Sequence, residues 1–250
     1  MKKQGADIET HGECAKTAAL SRVRLLLGGD AVATFAKMRV AVFGLGGVGG
    51  WCAEALVRSG VEHLLLVDDD RVAPSNINRQ LPATTLTLGR FKVDVLAERF
   101  RAINPDANIE ARAERYTPES VSNFDLASFD FVVDAIDSVE CKAHLLRTAS
   151  ALDGTEVLSS MGAAARTDLS RIRTSRFSKV VGDGLARALR RRFRRDGWPA
   201  RDFTCVWSDE PPLNRGERTD SDGSANGSLM PVTASFGLHL ASLVLARGLN

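Results

Sequence analysis

A glycine run, Gly44-Leu-Gly46-Gly47-Val-Gly49, stands between an apolar pentapeptide, Arg39-Val-Ala-Val-Phe43, and a helical segment that continues through Arg58. Glycines let a backbone approach phosphate closely. A helix that opens on them adds free N–H groups and partial positive charge. Asp68 follows Gly44 by 24 residues and ends the next apolar run, where a ribose-binding carboxylate belongs. The chain then stays polar through Asp70, Asn76, Arg79 and Gln80, and Lys92 and Asp137 come later. Arg and Lys neutralise phosphate charge, and an aspartate can hold Mg²⁺. Taken singly, Arg79 and Lys92 have an ordinary use as solvated charges, and Asp137 as a helix N-cap. As an ordered set they suit a nucleoside triphosphate, whereas hydride transfer requires none of them.

These residues need a scaffold that brings them to one edge. Apolar strands are expected at 39–43, 64–68, 108–113, 129–134 and 156–160. Helical patterns are expected at 90–103, stopped by Asn104-Pro105, and at 138–152. Strands alternating with helices of this length predict an α/β fold, Rossmann-like, with a mainly parallel central sheet and helices on both faces. Before the first strand a short helix is expected over 16–27, ended by Gly28-Gly29, with a second turn over 31–37. Residues 1–18 read as a flexible N-terminus and 19–250 as a single domain. Within that domain lie a basic segment, 166–201, and a flexible loop, 208–228, followed by an apolar helix from Met230.

Composition is that of an ordinary globular chain, with 44% hydrophobic and 26% charged residues in 250. No 18 consecutive residues are apolar, and the N-terminus lacks the apolar core of a secretory signal, so a cytoplasmic location is expected. Cys14, Cys52, Cys141 and Cys205 form no C-x-x-C pair, which argues against a zinc site and a disulfide framework. Cys205 sits in an apolar strand and reads as a small buried hydrophobe.

Charge is uneven. Segment 166–201 holds eleven Arg and one Lys against three Asp, a net +9 in a chain whose total is +2, which leaves the rest at −7. Six arginines occupy the nine positions from Arg187 to Arg195. On a helix Arg187, Arg190, Arg191, Arg194 and Arg195 share one side, opposite an edge marked by Leu185, Leu189 and Phe193. A solvated helix face is the plain alternative, but no acid interrupts this one, so phosphate contacts with RNA are expected.

Together, the glycine run, Asp70-x-Val-x-x-Ser-Asn76-x-x-Arg79-Gln80, Gly89-x-x-Lys92 and Asp134-x-x-Asp137-Ser resemble the ubiquitin-activating-enzyme-like adenylyltransferases, the ThiF/MoeB/HesA superfamily. The resemblance implies ATP and Mg²⁺ as cofactors and adenylation of a carboxylate. Carried over by position, it implies that Gly44, Gly46, Gly47 and Gly49 form the phosphate loop. Asp68 would hold the ribose, with Asp70 beside it at the nucleotide, and Asn76, Arg79 and Lys92 would contact phosphates. Asp137 would bind the metal. Arg79, Lys92 and Asp137 would then carry catalysis. Arg22, or Arg24 beside it, matches an arginine that some members place in a partner subunit's site, which implies a homodimer.

Further strings, Arg99-x-x-Ala-Ile-Asn-Pro105, Asp134-Ala-Ile-Asp-Ser138, Cys205-Val-Trp-Ser-x-Glu210 and Thr233-Ala-Ser-Phe-Gly237, resemble one branch of the superfamily. That branch dehydrates and cyclises N6-threonylcarbamoyladenosine next to the tRNA anticodon. It implies tRNA as the partner and a sulfur-relay protein as another. The runner-up is an adenylyltransferase that activates the C-terminus of a ubiquitin-like sulfur carrier, against which the missing zinc cysteines count. An NAD-dependent oxidoreductase would leave Arg79, Lys92 and Asp137 without a task, and a non-catalytic RNA-binding protein would leave the whole glycine–aspartate set unexplained.

Overall fold

Apolar pentapeptides alternating with amphipathic segments bury both sheet faces most economically as parallel strands covered by helices. The computed structural model, which describes residues 18–217 and 226–249, has this arrangement. Its strands are β1 Arg39–Phe43, β2 His63–Val67, β3 Asn108–Arg112, β4 Phe131–Asp134, β5 Glu156–Ser160, β6 Ile172–Arg176 and β7 Thr204–Ser208. They form one sheet in the order β3-β2-β1-β4-β5-β7-β6, parallel throughout except for β6, which runs antiparallel to β7. The helices are α1 Ser21–Leu27, α2 Gly29–Lys37, α3 Gly49–Arg58, α4 Lys92–Ile103, α5 Val139–Ser150, α6 Gly184–Asp196 and α7 Met230–Gly248. Alternation along β1 divides the core. Val40 and Val42 join Phe35, Leu56, Phe100 and Phe236 on one face, while Ala41 and Phe43 join Tyr116, Leu145, Leu146 and Phe193 on the other.

Several boundaries differ from the sequence expectation for local reasons. Gly28, at φ +88°, breaks the chain between α1 and α2, and Gly29 opens α2 instead of closing α1. Phe91 is extended and bridged to Arg71, so α4 begins at Lys92 and not at residue 90. The expected strand at 129–134 begins at Phe131, because Leu126–Ser128 forms a 3-10 turn and Phe129 N–H closes on Leu126 O. The expected flexible stretch 1–18 falls almost entirely outside the described residues, as do Cys14 and 218–225 of the long loop.

Helix α7 is long and apolar enough to cross a membrane, although scattered polar residues keep it from being one unbroken apolar run. Here it is a core helix: Val232, Phe236, Leu240, Ala241 and Val244 are buried in the same cluster as β1 and α3. Its approach to α3 is very close. A methyl group on Gly237 would lie 2.3 Å from the Val48 carbonyl oxygen and 2.9 Å from Cys52 N. Thr233, one turn earlier, lies 3.2 Å from where a Cβ on Gly47 would stand. Helix α7 therefore backs the glycine loop.

Strand order reverses direction between β1 and β4, the topological switch point at which open α/β sheets leave a crevice beyond the strands' carboxyl ends. The turn after β4 is held from beneath by a fully buried ion pair. Lys142 Nζ lies 2.7 Å from Asp134 Oδ2 and donates to Ile136 O at 3.1 Å. Asp134 also accepts from Ser159 Oγ at 2.6 Å and from Ile136 N at 3.1 Å. Burial pushes the Asp134 carboxyl upward, and Lys142 opposes that shift.

Two measurements test this scaffold. Gly237→Ala should cost about 1–3 kcal/mol through overpacking against α3, read as a lower urea midpoint. A midpoint equal to that of the unsubstituted protein would mean the two helices do not meet this closely. Lys142→Met, which strands a buried carboxylate, should cost about 3–5 kcal/mol, and the double variant with Asp134→Asn should lose less than the single. If the double variant is the less stable of the two, the pair is not what holds the turn.

Candidate active site

The glycine loop follows from where β1 ends. Gly44 adopts φ +86°, and a side chain there would strike the Ala135 carbonyl oxygen at 2.6 Å, so the position needs glycine twice over. At Gly49 a Cβ would lie 1.8 Å from the Gly44 carbonyl oxygen, which makes this glycine a packing requirement where the loop turns into α3. No side chain caps the N-terminus of α3 and no acid stands in its first turn, so its free N–H groups remain available to an anion.

Asp68, just beyond β2, grips this loop. Its Oδ2 accepts from Leu45 N at 2.6 Å and its Oδ1 from Asp70 N at 2.8 Å. Burial pushes its carboxyl upward, while Lys92 and the two amides pull the other way. Lys92 opens α4 and is almost wholly buried, with Nζ 2.6 Å from Asp70 Oδ2 and 3.9 Å from Asp68 Oδ1. Its reading as a solvated surface charge is thereby excluded. Asp68, Asp69 and Asp70 cluster closely enough to share a cation, and the Lys92 ammonium already compensates two of them.

Arg79 is half-buried. Its Nη1 donates to Ser75 O at 2.8 Å and Asn78 Oδ1 at 2.9 Å, and its own carbonyl accepts from Trp51 Nε1 at 3.1 Å. Asp137 is exposed on the turn above the buried ion pair. The helix N-cap position is taken by Ser138, one residue later.

These groups surround a cavity of about 640 Å³ at the switch point. Gly44, Gly46, Gly47, Asp68, Asp70, Arg79, Lys92 and Asp137 all line it. Such a volume suits a nucleotide-sized ligand. Three of the expected residues do not line it. Gly49 packs behind the loop. Asn76 uses its Oδ1 to accept from Ala73 N at 3.1 Å, closing a 3-10 turn. Arg22, expected at a partner subunit's site and not at its own, is exposed on α1 and does not line this cavity.

Other residues contribute that the sequence motifs give no role. Gln80 is buried beside Gly46, and its Oε1 has no hydrogen-bond partner among the described residues. An orphaned amide oxygen in the wall of a polar cavity fits a site that receives a ligand. Its place in the Asn76–Gln80 string is the signal that points to it. Tyr116, after β3, closes the far wall, edge-on to Phe43 at 5.2 Å with its hydroxyl 3.0 Å from His144 Nδ1. Burial pushes its phenol up to about 12. Cys52, Cys141 and Cys205 are all buried, and burial pushes the Cys52 and Cys205 thiols up, away from the thiolate form a nucleophile needs.

Helix α6 starts at the cavity rim, where Leu185 lines the wall, and carries the basic run. Its arginines are not equivalent. Arg190 turns inward, donating to Phe177 O at 2.9 Å and Val180 O at 2.6 Å over the Phe177 ring. The expectation that it faces a polyanion is corrected on that ground. Arg195 pairs with Asp196 at 2.8 Å, and Arg192 pairs with Glu140 at 2.9 Å and with Asp196. The face is thus less one-signed than the sequence suggests. Arg187, Arg191 and Arg194 have no ion pair among the described residues.

Comparison with known proteins agrees with this geometry. The ThiF family model matches residues 20–247. The tRNA threonylcarbamoyladenosine dehydratase of Bacillus subtilis is 39% identical over 193 residues, 77% of this chain and 75% of that protein. The Haemophilus influenzae protein of the same name is 34% identical over 231 residues, 87% and 88% of the two chains. The crystal structure of the E. coli tRNA N6-threonylcarbamoyladenosine dehydratase TcdA in complex with ATP superimposes with a TM-score of 0.85 at 31% identity, covering 94% of this chain and 95% of that one. The chain belongs to the ThiF family, on its tRNA threonylcarbamoyladenosine dehydratase branch.

Proposed function

We propose that the protein is an ATP-dependent dehydratase that cyclises N6-threonylcarbamoyladenosine in tRNA. The observation that carries this is the cavity in which the glycine loop, Arg79, Lys92 and Asp137 converge. Support comes from the E. coli relative of the same fold, which binds ATP. The threonylcarbamoyl carboxylate attacks the α-phosphate of ATP and pyrophosphate leaves. The carbamoyl group of the same modification then attacks the acyl adenylate, closing a ring and releasing AMP. The net change in the nucleoside is loss of one water. Ring closure is intramolecular, so high effective molarity replaces a protein nucleophile. The buried cysteines agree with that route and count against a covalent thioester.

In this reading the glycine loop and the start of α3 bind phosphates, and Asp68 holds the loop and faces the ribose. Arg79 and Lys92 neutralise charge that grows in the transition state. Asp137 would hold Mg²⁺, which takes one or two carboxylates together with substrate phosphates and would supply further charge neutralisation. The exposed Asp137 carboxylate in the cavity wall, which has no ion pair among the described residues, fits that need.

Phosphates of the tRNA lie along α6, where Arg187, Arg191 and Arg194 project freely and Arg195 borders them. The same proposal includes a homodimer and, by family resemblance, a sulfur-relay protein as a partner. Leu25 and Leu26 on α1 are 79% and 80% exposed beside Arg22, a surface that a second copy would cover.

Incubating the protein with threonylcarbamoylated tRNA, ATP and Mg²⁺ and weighing the nucleosides by mass spectrometry should show the dehydrated product. Its absence, together with pyrophosphate exchange that depends on a small ubiquitin-like protein, would favour the sulfur-carrier activity instead. Arg79→Ala and Asp137→Ala should each lower kcat by about 10²–10³ while the melting temperature holds. Turnover within a few-fold of the unsubstituted protein would remove that residue from the site. Replacing Arg187, Arg191 and Arg194 together with Ala should weaken tRNA binding. The log–log salt slope should flatten by roughly 0.7–0.9 for each phosphate that is no longer neutralised. Arg190→Ala should instead lower the melting temperature. Equal slopes for the triple variant and the unsubstituted protein would place the RNA elsewhere.

A further inference from the structure

A second cavity, of about 770 Å³, adjoins the first and shares Asn226 and Ser228 with it. Pro211, Leu213 and Leu229 give it apolar walls, and Arg166 stands in its lining. Arg166 is only 4% exposed, and its Nε and Nη1 have no hydrogen-bond partner among the described residues. The neighbouring acids do not complete its bonding. Asp183 lies 3.7 Å from Nη2, beyond hydrogen-bond reach, and its oxygens already accept from Ala186 N at 2.8 Å and Gly162 N at 3.2 Å. Glu210 accepts from Thr167 N and Oγ1 and from Asp168 N. Burial lowers the Arg166 pKa, the direction expected when a guanidinium is desolvated without full compensation. A buried guanidinium with two idle donors is costly in a folded protein, and a bound acceptor relieves it.

We infer that this second cavity is the pocket for the modified nucleoside, with Arg166 as the donor that receives a backbone phosphate oxygen of the tRNA. The inference rests on the proposed dehydratase function. A base taken out of the RNA stack requires an apolar pocket, and Pro211, Leu213 and Leu229 line this one. It also requires a polar anchor, and a guanidinium fork matches a phosphate. The wall shared at Asn226 and Ser228 lets the threonylcarbamoyl arm reach from this slot into the nucleotide cavity. Asp183 forms an ion pair with Arg166 at 3.7 Å and also caps α6, so the anchor stands at the base of the helix that carries the free arginines.

The test uses the full chain with threonylcarbamoylated tRNA and ATP. If the unsubstituted protein forms no dehydrated nucleoside, the functional reading fails before this inference is reached. If it turns over, Arg166→Met should raise KM for the tRNA by about tenfold or more, with the KM for ATP little changed. Leu213→Trp, which narrows the slot and leaves the Arg166–Asp183 pair intact, should do the same and serves if Arg166→Met unfolds. Binding to the same tRNA without the modification checks that source. Equal weakening for both RNAs supports a backbone phosphate at Arg166, and weakening for the modified RNA alone would put the threonyl carboxylate there, away from the ATP it has to attack, and overturn the assignment. A tRNA KM within twofold of the unsubstituted value in both folded variants would overturn the inference.

Discussion

Everything at the switch point depends on one buried ion pair. Asp134 and Lys142 meet with neither side chain exposed to solvent, and between them they tie the end of β4, the Ile136 backbone and Ser159 of β5. The turn they hold, residues 135–138, is the wall against which Gly44 is pressed, and it presents Asp137 to the cavity. A buried pair is weak evidence for net stability, because desolvation offsets much of the attraction. Its value here is positional. Losing either partner leaves an uncompensated charge, so alternative arrangements of the turn are disfavoured.

A second layer of charge is arranged around it. Lys92 is buried yet paired to Asp68 and Asp70, so the cavity keeps a cation near the glycine loop without leaving an isolated buried charge. Incoming phosphates would share that ammonium with Asp70, whose side chain is 64% exposed and free to yield. The site thus resembles a set of charges compensated in advance, each able to exchange a protein partner for a ligand oxygen.

Much of this is legible in the sequence, and the limits have physical causes. The glycine loop can be read because its constraints are local: a left-handed φ and a close carbonyl declare themselves in residue type. The parallel sheet can be read from apolar period and length. What the sequence hides involves partners distant along the chain. Arg190 has the same helical phase as its neighbours, but the carbonyls of Phe177 and Val180 draw it inward, and no periodicity reports them. Arg192 finds Glu140, which a local charge count does not include. Asn76 reads as a phosphate ligand, although Ala73-Pro-Ser-Asn76 is also a turn sequence whose amide can close on its own backbone. Arg166 reads as one more charge in a basic segment, since burial cannot be seen in a count of arginines.

The contact between α7 and the glycine loop links the order of synthesis to completion of the cavity. The loop and β1 leave the ribosome early, and the helix that backs Gly47 with Thr233 and meets Val48 through Gly237 leaves much later. A growing chain can pair β1 with β2 and begin its core, but its loop has nothing behind it until α7 docks. Such long-range closure is slow compared with local helix formation. On the proposed function, nucleotide binding is then a property of the nearly finished chain, and fragments clipped before α7 would be silent toward ATP even where most of the sheet survives.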